Sequence, residues 1–345
     1  MSFKVTVLPS NHEFTVKAEQ TVLDAALEAG IVLPYSCRNG TCSTCKGKIV
    51  SGTWDAGPAP AQILEADELD QGYTLLCQAR PATDLVIEAN IVRMAGDIEV
   101  RKMPSRVMAI EDLAPDVRLV KLQLPASDPF NYHPGQYVEF IMRDGRRRSY
   151  SMANASSDTN LIELHIRHMP GGAFTDHVFG AGDTAMKVRE IQRVEGPLGS
   201  FFLREDSDKP IVLLASGTGF APIKALMERL IATGSRRAVE LYWGGRRPHD
   251  LYMHDLAQHW ADTLPHVRYV PVVSDALATD NWTGRTGFVH HAVMADMADL
   301  SAYQVYACGT PIMVESARHD FVRSNGLPED EFFADAFTSE ADVVA

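Results

Sequence analysis

Residues 34–48 read PYSCRNGTCSTCKGK and place three cysteines in one short loop, with the spacing Cys37-x4-Cys42-x2-Cys45. A fourth cysteine, Cys77, follows after 31 further residues. Clustered thiols in a chain of this size more often serve metal or redox chemistry than disulfide formation. Soft thiolates that converge on one point suit iron or zinc. The loop therefore predicts a metal or iron–sulfur site, with a disulfide pair as a weaker alternative.

The ligand spacing separates the two metal alternatives. A structural zinc site usually presents two Cys-x2-Cys pairs, and this sequence has one. The observed spacing is that of plant-type [2Fe-2S] ferredoxins. Residues 34–48, with Leu76-Cys77-Gln78-Ala79, resemble the ferredoxin domain of oxygenase reductases, and the resemblance extends over residues 1–90. It implies a β-grasp fold and a [2Fe-2S] cluster held by four ligands, Cys37, Cys42, Cys45 and Cys77.

The bulk composition excludes several classes of protein. With 345 residues the chain is long enough for two or three domains. Its formal net charge of -13 argues against a nucleic-acid partner, which would need clustered Lys and Arg. Polar and apolar residues alternate in residues 1–7, which is typical of a strand and not of a signal peptide. Apolar runs such as 211–215 are too short to cross a bilayer. We expect a cytoplasmic protein that does not cross a membrane.

The chain is predicted to fold into several domains, of the α+β class in its first part and the α/β class in its last part. The first domain, residues 1–94, combines short strands with a helix at Thr21–Ala29, for which Thr21 is a suitable N-cap. Residues 95–104 lose strong periodicity and are expected to form a linker.

Residues 105–206 form the second predicted domain. Strand-like runs broken by glycine-containing turns suggest a small antiparallel barrel; they include Val117–Leu124, Tyr137–Met142, Leu161–Ile166 and Lys187–Gln192. In residues 207–345, buried-looking strands alternate with helical stretches, which predicts a parallel α/β sheet that binds a nucleotide.

Within the barrel, Arg148-Ser149-Tyr150-Ser151 resembles the Arg-x-Tyr-Ser motif of the ferredoxin–NADP reductase superfamily. The resemblance implies that FAD binds here: Arg148 meets the pyrophosphate, Tyr150 lies against the isoalloxazine, and Ser151 approaches N5 as a catalytic residue. A guanidinium suits phosphate oxygens and an aromatic face suits a planar ring. Without the motif, three consecutive arginines at 146–148 would be read as a solvated turn.

A glycine-rich segment follows the motif. Its close backbone N–H groups and hydroxyl could hold a pyrophosphate, and the superfamily uses a matching segment in this way; the residues are Gly171, Gly172, Ala173, Phe174 and Thr175. A plain hairpin turn is the alternative.

The nicotinamide site is predicted where strand 211–215 runs into a helix. Glycines at this junction let diphosphate oxygens approach free N–H groups at the positive end of the helix. The segment resembles the superfamily's Gly-x-Gly-x-x-Pro signature rather than a Rossmann motif, and its predicted cofactor-binding residues are Gly217, Thr218, Gly219 and Pro222.

Two further segments resemble the superfamily near its active site. The segment 306–313 matches Cys-Gly-x-Pro-x-Met, which implies that Cys308, Gly309 and Met313 lie beside the nicotinamide, with Cys308 catalytic. Without its neighbours, Cys308 would be read as a buried apolar residue at a strand end. The ending at 332–337 implies a catalytic role for Asp335 and a flavin-covering role for Phe337, although the family often has Glu where Asp335 stands.

Nucleotide preference is open on the sequence. Arg246 would favour the extra phosphate of NADPH, whereas Asp250 could accept a ribose hydroxyl of NADH. The resemblance to oxygenase reductases favours NADH. The other histidines show no recognised metal spacing and are expected mostly at surface or turn positions; they include His165, His168, His249, His254, His290 and His291.

The three motif sets together predict a reductase. A nicotinamide gives two electrons as hydride, a cluster takes one at a time, and a flavin can do both. We expect electrons to reach a separate acceptor protein, with a ring-hydroxylating or other oxygenase component as the leading candidate. A sugar-nucleotide dehydratase in deoxysugar synthesis is an alternative partner, and a redox sensor is the alternative from another class. We expect a monomer whose acidic surface meets a basic docking face.

Overall fold

The computed structural model describes residues 1–90, 93–94, 98–127, 129–155 and 159–337. It contains two compact units. The first comprises Met1–Glu99 together with the described residues from Ala334 onward, and the second comprises Val100–Phe333.

The first unit is built around a five-stranded sheet. Its strands are β1 Ser2–Leu8, β2 His12–Lys17, β3 Ile31–Val32, β4 Lys46–Ser51, β5 Trp54–Asp55, β6 Tyr73–Leu75, β7 Arg80–Pro81, β8 Leu85–Glu88 and β9 Arg93–Met94. Its helices are α1 Val22–Glu28, α2 Pro60–Ile63 and α3 Ala66–Asp70. The strand order in the sheet is β2-β1-β8-β4-β6. β1 runs parallel to β8, and the β1–β2, β4–β8 and β4–β6 pairs are antiparallel. This is the predicted β-grasp arrangement.

Helix α1 forms where the sequence predicts it. The Thr21 hydroxyl accepts a hydrogen bond from the backbone N–H of Asp24, which satisfies a free donor of the first turn. Leu23 and Ala26 are fully buried, so the apolar stripe faces the sheet. The chain leaves the helix through Gly30, which has a positive φ of 79°.

The second unit begins with a six-stranded antiparallel sheet. The elements are β10 Arg101–Ala114, β11 Val117–Gln123, β12 Tyr137–Ile141, β13 Arg147–Ser151, β14 Leu161–Arg167, α4 Ala173–Phe179 and β15 Ile191–Leu198. The strand order is β13-β12-β15-β10-β11-β14. A bridge between Met152 and Leu164 joins the two outer strands and closes the sheet into the predicted barrel.

One barrel strand lies later in the chain than expected. The strand predicted at Lys187–Gln192 begins only at Ile191. Arg189 has a positive φ of 75°, and the N–H of Glu190 donates to the carbonyl of Lys187, so residues 187–190 form a turn. Val188, in this turn, is exposed and does not contribute to the barrel core. β10 begins at Arg101, within the residues expected to form a linker.

The remainder of the chain forms a sheet of order β19-β18-β17-β16-β20-β21, in which the first four pairings are parallel. The strands are β16 Ile211–Ser216, β17 Val239–Gly245, β18 Val267–Val273, β19 Arg285–Thr286, β20 Gln304–Gly309 and β21 Phe332–Ala336. The helices are α5 Phe220–Ala232, α6 His254–Thr263, α7 Val289–Asp296 and α8 Pro311–Ser324. Strand order reverses at β16, and ligands of open α/β sheets bind at the carboxyl ends of strands at such a point.

Among the helices of the described residues, none is long and apolar enough to cross a membrane.

Candidate functional site

The four clustered cysteines converge in the first unit as two close pairs. The Sγ atoms of Cys37 and Cys42 are 3.1 Å apart, and the thiols of Cys45 and Cys77 are hydrogen-bonded to each other. Cys37 is half-buried, whereas the other three cysteines are buried. Two pairs of thiolates are the donor set that a [2Fe-2S] cluster requires, with one pair for each iron.

The loop backbone points its donors at these sulfurs. The N–H groups of Asn39 and Thr41 donate to the sulfur of Cys37, and the N–H of Gly40 donates to that of Cys77. The hydrogen bond from Cys42 is the main reason why the pKa of Cys37 falls to about 5. Metal ligation needs thiolates, and backbone donors stabilise the negative charge of a cluster. The residues present therefore fit the group.

Gly40 is required for this wrapping. Its φ is +85°, and an added Cβ would lie 2.8 Å from the Cβ of Ala59. Both the left-handed backbone and the neighbouring chain exclude a side chain there.

Asp335, predicted as a catalytic residue, lies beside the cysteine loop within the first unit. It is buried, and its carboxylate accepts a hydrogen bond of 2.5 Å from the hydroxyl of Ser36, the residue before Cys37. The N–H of Ala336 donates to the same hydroxyl at 3.2 Å. Sequence reasoning missed Ser36, because nothing local relates it to a residue 299 positions away.

The flavin motif lies on β13, at the end of the barrel sheet. Because side chains alternate along a strand, Arg148 and Tyr150 share one face, and Ser149 and Ser151 share the other. The Tyr150 ring packs 5.3 Å from the ring of Phe174, centroid to centroid. The structure thus brings the two predicted flavin segments together. Ser151 is buried, whereas Ser149 is exposed.

The glycine-rich segment forms the start of α4. Gly171 has a φ of +85°, and Gly172 is the N-cap of the helix. The Thr175 hydroxyl donates a hydrogen bond of 2.8 Å to the carbonyl of Met169. It also accepts a hydrogen bond from the N–H of Met169. This hydroxyl therefore closes the turn, which leaves backbone groups of the segment as the candidate phosphate ligands.

The predicted nicotinamide loop and the Cys308 segment meet at the carboxyl ends of β16 and β20. Ala215 and Cys308 are in register in the parallel pair. A Cβ added to Gly219 would lie 2.1 Å from the carbonyl oxygen of Cys308. A Cβ on Gly309 would lie 2.9 Å from Cε of Met313. The glycines therefore allow two backbone segments to approach more closely than any side chain permits.

The remaining predicted residues of this loop lie where helix α5 begins. Gly217 and Thr218 form a single 3-10 turn with Gly219, and Pro222 is buried in the first turn of the helix. Trp243, which sequence reasoning missed, donates from Nε1 to the carbonyl of Gly217 at 3.0 Å. Only its position on the neighbouring strand, not a motif, could have indicated this contact.

Asp250 lies in the turn after β17, where its carboxylate is already engaged. It accepts the N–H groups of Arg246 and Arg247 at 2.8 and 3.0 Å. The guanidinium of Arg167 lies 3.0 Å away, and the Asp250 side chain is 2% exposed. Burial alone would raise the pKa of Asp250, but these N–H groups and Arg167 lower it overall. Arg246, by contrast, points into solvent with 72% of its side chain exposed.

Phe337 is half-buried at the end of the described residues.

Comparison with known families assigns three domains to the chain. Residues 5–82 match the 2Fe-2S iron-sulfur cluster binding domain, residues 104–203 the oxidoreductase FAD-binding domain, and residues 213–319 the oxidoreductase NAD-binding domain. The predicted cofactors, a [2Fe-2S] cluster, FAD and NAD(P)H, are thereby confirmed, and the zinc alternative is set aside.

Known proteins match this chain over nearly its whole length. The chain is 41% identical over 337 residues to the CDP-6-deoxy-L-threo-D-glycero-4-hexulose-3-dehydrase reductase of Yersinia pestis, which covers 98% of this chain and 99% of that protein. It is 35% identical to the phenol hydroxylase P5 protein of Acinetobacter pittii, over 100% of this chain and 97% of that one. The crystal structure of Amycolatopsis cytochrome P450 reductase GcoB, 34% identical, superposes with a TM-score of 0.76 over 98% of this chain and 99% of that one.

Proposed function

Because this chain belongs to the family of iron–sulfur flavoprotein reductases, which join a 2Fe-2S domain to FAD-binding and NAD-binding oxidoreductase domains, we propose that its acceptor is a dehydratase component acting on a nucleotide-linked sugar. The chain is an NAD(P)H-dependent oxidoreductase that passes electrons from the nicotinamide through FAD and the [2Fe-2S] cluster to a partner. The nicotinamide supplies a hydride, the flavin accepts two electrons and releases them singly, and the cluster carries one at a time.

The convergence of four sulfurs, three from the loop and one from Cys77, carries the electron-transfer role. We assign the cluster ligands to Cys37, Cys42, Cys45 and Cys77. The N–H groups of Asn39, Gly40 and Thr41 hold the sulfurs in place and offset their charge. Arg38 is exposed and Cys37 is half-buried, so the loop is most accessible there. We propose that electrons leave for the partner at this edge.

The flavin residues act by orientation. Tyr150 offers an aromatic face to the planar ring, braced by Phe174 at 5.3 Å. Arg148 supplies a guanidinium for phosphate oxygens, and we assign a hydrogen bond to the ring to Ser151, which is buried on the same strand. The backbone of Gly171–Thr175 completes the phosphate site. Phe337 keeps its proposed role as a cover for the flavin.

The nicotinamide residues act by close approach. Gly217, Thr218 and Gly219 present backbone N–H groups at the start of the 13-residue helix α5, whose positive end favours a diphosphate. Cys308, Gly309 and Met313 form the facing wall. Because the carboxylate of Asp250 is occupied, we propose that it shapes the turn, and that Arg246 is the residue facing the nucleotide's ribose end.

The choice of acceptor rests on sequence similarity. The dehydrase reductase of Yersinia pestis is 41% identical to this chain, compared with 35% for the phenol hydroxylase protein. An oxygenase component is the second candidate, and the TM-score of 0.76 with the cytochrome P450 reductase GcoB favours it.

The proposal also includes the domain boundaries, which are 1–94, 95–104, 105–206 and 207–345. We further propose that the protein is a monomer in the cytoplasm and does not bind nucleic acid. The net charge of -13 supports the last point.

Reconstitution with two acceptors tests the proposal. The holoprotein is first titrated anaerobically with NADH and NADPH, following flavin bleaching by absorbance and the reduced cluster by electron paramagnetic resonance. NAD(P)H oxidation is then coupled to a CDP-hexulose dehydrase or to an aromatic oxygenase component. We expect kcat/KM for the dehydrase to exceed that for the oxygenase by about tenfold or more, a difference of about 1.4 kcal/mol. The reverse order would reject the dehydratase assignment while leaving the reductase activity intact.

A further inference from the structure

Two histidines and an aspartate form a cluster where α7 begins alongside α8. One ligand atom from each of His290, His291 and Asp320 lies within 4.8 Å of the other two. We propose that these three residues bind a divalent transition-metal ion, with Zn²⁺ the best match to two imidazoles and a carboxylate. None of the three residues belongs to the cysteine loop or to the nucleotide loop.

His290 carries the main argument. The sequence suggested a surface or turn position, but the residue is 7% exposed. Its Nδ1 atom is buried and has no hydrogen-bond partner among the described residues. The other ring nitrogen, Nε2, faces the carboxylate of Asp320. In the tautomer with its proton on Nδ1, Nε2 carries the lone pair that a metal ion needs.

The distance to Asp320 supports the same conclusion. Nε2 of His290 lies 3.6 Å from Oδ2 of Asp320, which is longer than a hydrogen bond. Two ligands bound at about 2.1 Å to one tetrahedral ion lie about 3.4 Å apart. The observed separation therefore accommodates an ion between the two side chains with little movement.

The electrostatics favour a cation. Asp320 contributes a negative charge. Nδ1 of His319 lies 3.1 Å from the second carboxylate oxygen, Oδ1, and would orient the carboxylate from behind.

His291 is the mobile ligand. Its ring centroid is 4.1 Å from that of His290, and the side chain is exposed, so it can rotate towards the ion at small cost. The ion would join α7 to α8, the helix that begins at Pro311 directly after the Cys308 loop. Metal binding would then stabilise this part of the nicotinamide domain.

Calorimetric titration with zinc chloride tests the site. The protein carries no histidine tag, is loaded with FAD and cluster, and is monitored for cluster absorbance throughout. We expect one equivalent of Zn²⁺ to bind, and Asp320→Asn and His291→Gln each to weaken binding by at least roughly tenfold. Both substitutions are at partly or fully exposed side chains, which keeps the fold intact. His259→Gln, at an exposed histidine on α6, is the matched control and should bind like the wild type.

Zinc K-edge absorption identifies the ligands. Nitrogen and oxygen neighbours at about 2.0–2.1 Å would support the site, whereas sulfur at about 2.3 Å would show that zinc had entered the cysteine loop. The proposal is overturned by sulfur ligation, by equal binding in the wild type and both variants, or by no uptake at millimolar zinc.

Discussion

The guanidinium of Arg167, at the end of barrel strand β14, lies 3.0 Å from the buried carboxylate of Asp250, in the turn that follows β17 of the parallel sheet. Arg167 also lies 3.4 Å from Asp116. Its terminal nitrogen is the nearest neighbour that a Cβ on Gly217 would meet, at 3.3 Å. One charge pair therefore links the barrel, the turn after β17 and the nucleotide loop, all within the second unit.

Asp250→Asn should lower stability rather than nucleotide affinity. Removing the Asp250 charge costs about 3 kcal/mol, because the two buried N–H donors and the half-buried Arg167 lose their charged acceptor. We expect the Tm of the holoprotein to fall by roughly 5–10 °C. Arg246→Gln, at an exposed side chain, should leave Tm unchanged and raise KM for NADPH. If Asp250→Asn kept the wild-type Tm and raised KM for NADH alone, Asp250 would be a ribose ligand instead.

The contribution of Asp250 should also depend on pH. Burial opposes ionisation, but the N–H groups of the turn and Arg167 outweigh it, so the folded pKa lies below 3.8. A carboxylate with a depressed pKa stabilises the fold at pH values above its unfolded pKa, and this stabilisation is lost as the pH falls through the folded pKa. The Tm difference between wild type and Asp250→Asn should be constant from pH 5 to 8 and shrink below about pH 4. A difference that grew on acidification would contradict this account.

Gly219→Ala should block nucleotide reduction. Gly219 has a helical φ of -57°, so its backbone accepts any residue, but the new methyl would collide with the Cys308 carbonyl at 2.1 Å. The position of the methyl is fixed by the Gly219 backbone, and the atom it meets is a backbone oxygen, so one of the two loops must move. We therefore expect the rate of flavin bleaching by NADH to fall by about 100-fold. Gly234→Ala is the control, since its φ is +68° and no neighbouring atom of the described residues lies within 4 Å of the added Cβ. It should lose some stability and keep the rate.

The motifs predicted the cofactor sites because each is local in sequence. The cysteine loop, the Arg148–Ser151 strand and the Gly217–Gly219 turn are short segments whose backbone conformation and chemistry depend on adjacent residues. The fold class followed similarly from periodicity and turn residues. Contacts between distant segments were not predictable, since neither Ser36 with Asp335 nor Trp243 with Gly217 leaves a local pattern.

Two side chains are more buried than their residue types indicate. The sequence left open whether Asp250 accepts a ribose hydroxyl, and it predicted most of the other histidines at surface or turn positions, yet Asp250 and His290 are both buried. Polar residue type indicates exposure on average, but a carboxylate satisfied by N–H groups and a cation can be buried. Only the tertiary structure shows which polar groups already have partners.

Tyr150→Ala should weaken FAD binding, whereas Tyr150→Phe should retain it. The ring contributes through its face and through packing against Phe174 and Phe140, at 5.3 and 5.8 Å. Loss of such a ring contact costs about 0.5–1.5 kcal/mol beyond lost area, so the Kd for FAD should rise by roughly tenfold. Equilibrium dialysis with FAD measures it. Equal loss in both variants would indicate that the hydroxyl, not the ring, holds the flavin.

Gly40→Ala should prevent cluster assembly while leaving the flavin site active. The substitution combines a left-handed φ of +85° with a contact of 2.8 Å to Ala59, and it displaces the N–H that donates to Cys77. Gly57→Ala is matched to it in the same unit, because φ is +64° but the nearest atom is 3.8 Å away. The backbone penalty of about 1–2 kcal/mol is then common to both variants, and only the collision differs. Iron and acid-labile sulfide per chain should be near zero in Gly40→Ala and normal in Gly57→Ala, and NADH should bleach the flavin in both. A full cluster in Gly40→Ala would mean that the loop can assemble the cluster with a different backbone conformation. The N–H groups of the loop would then not have the role proposed for them.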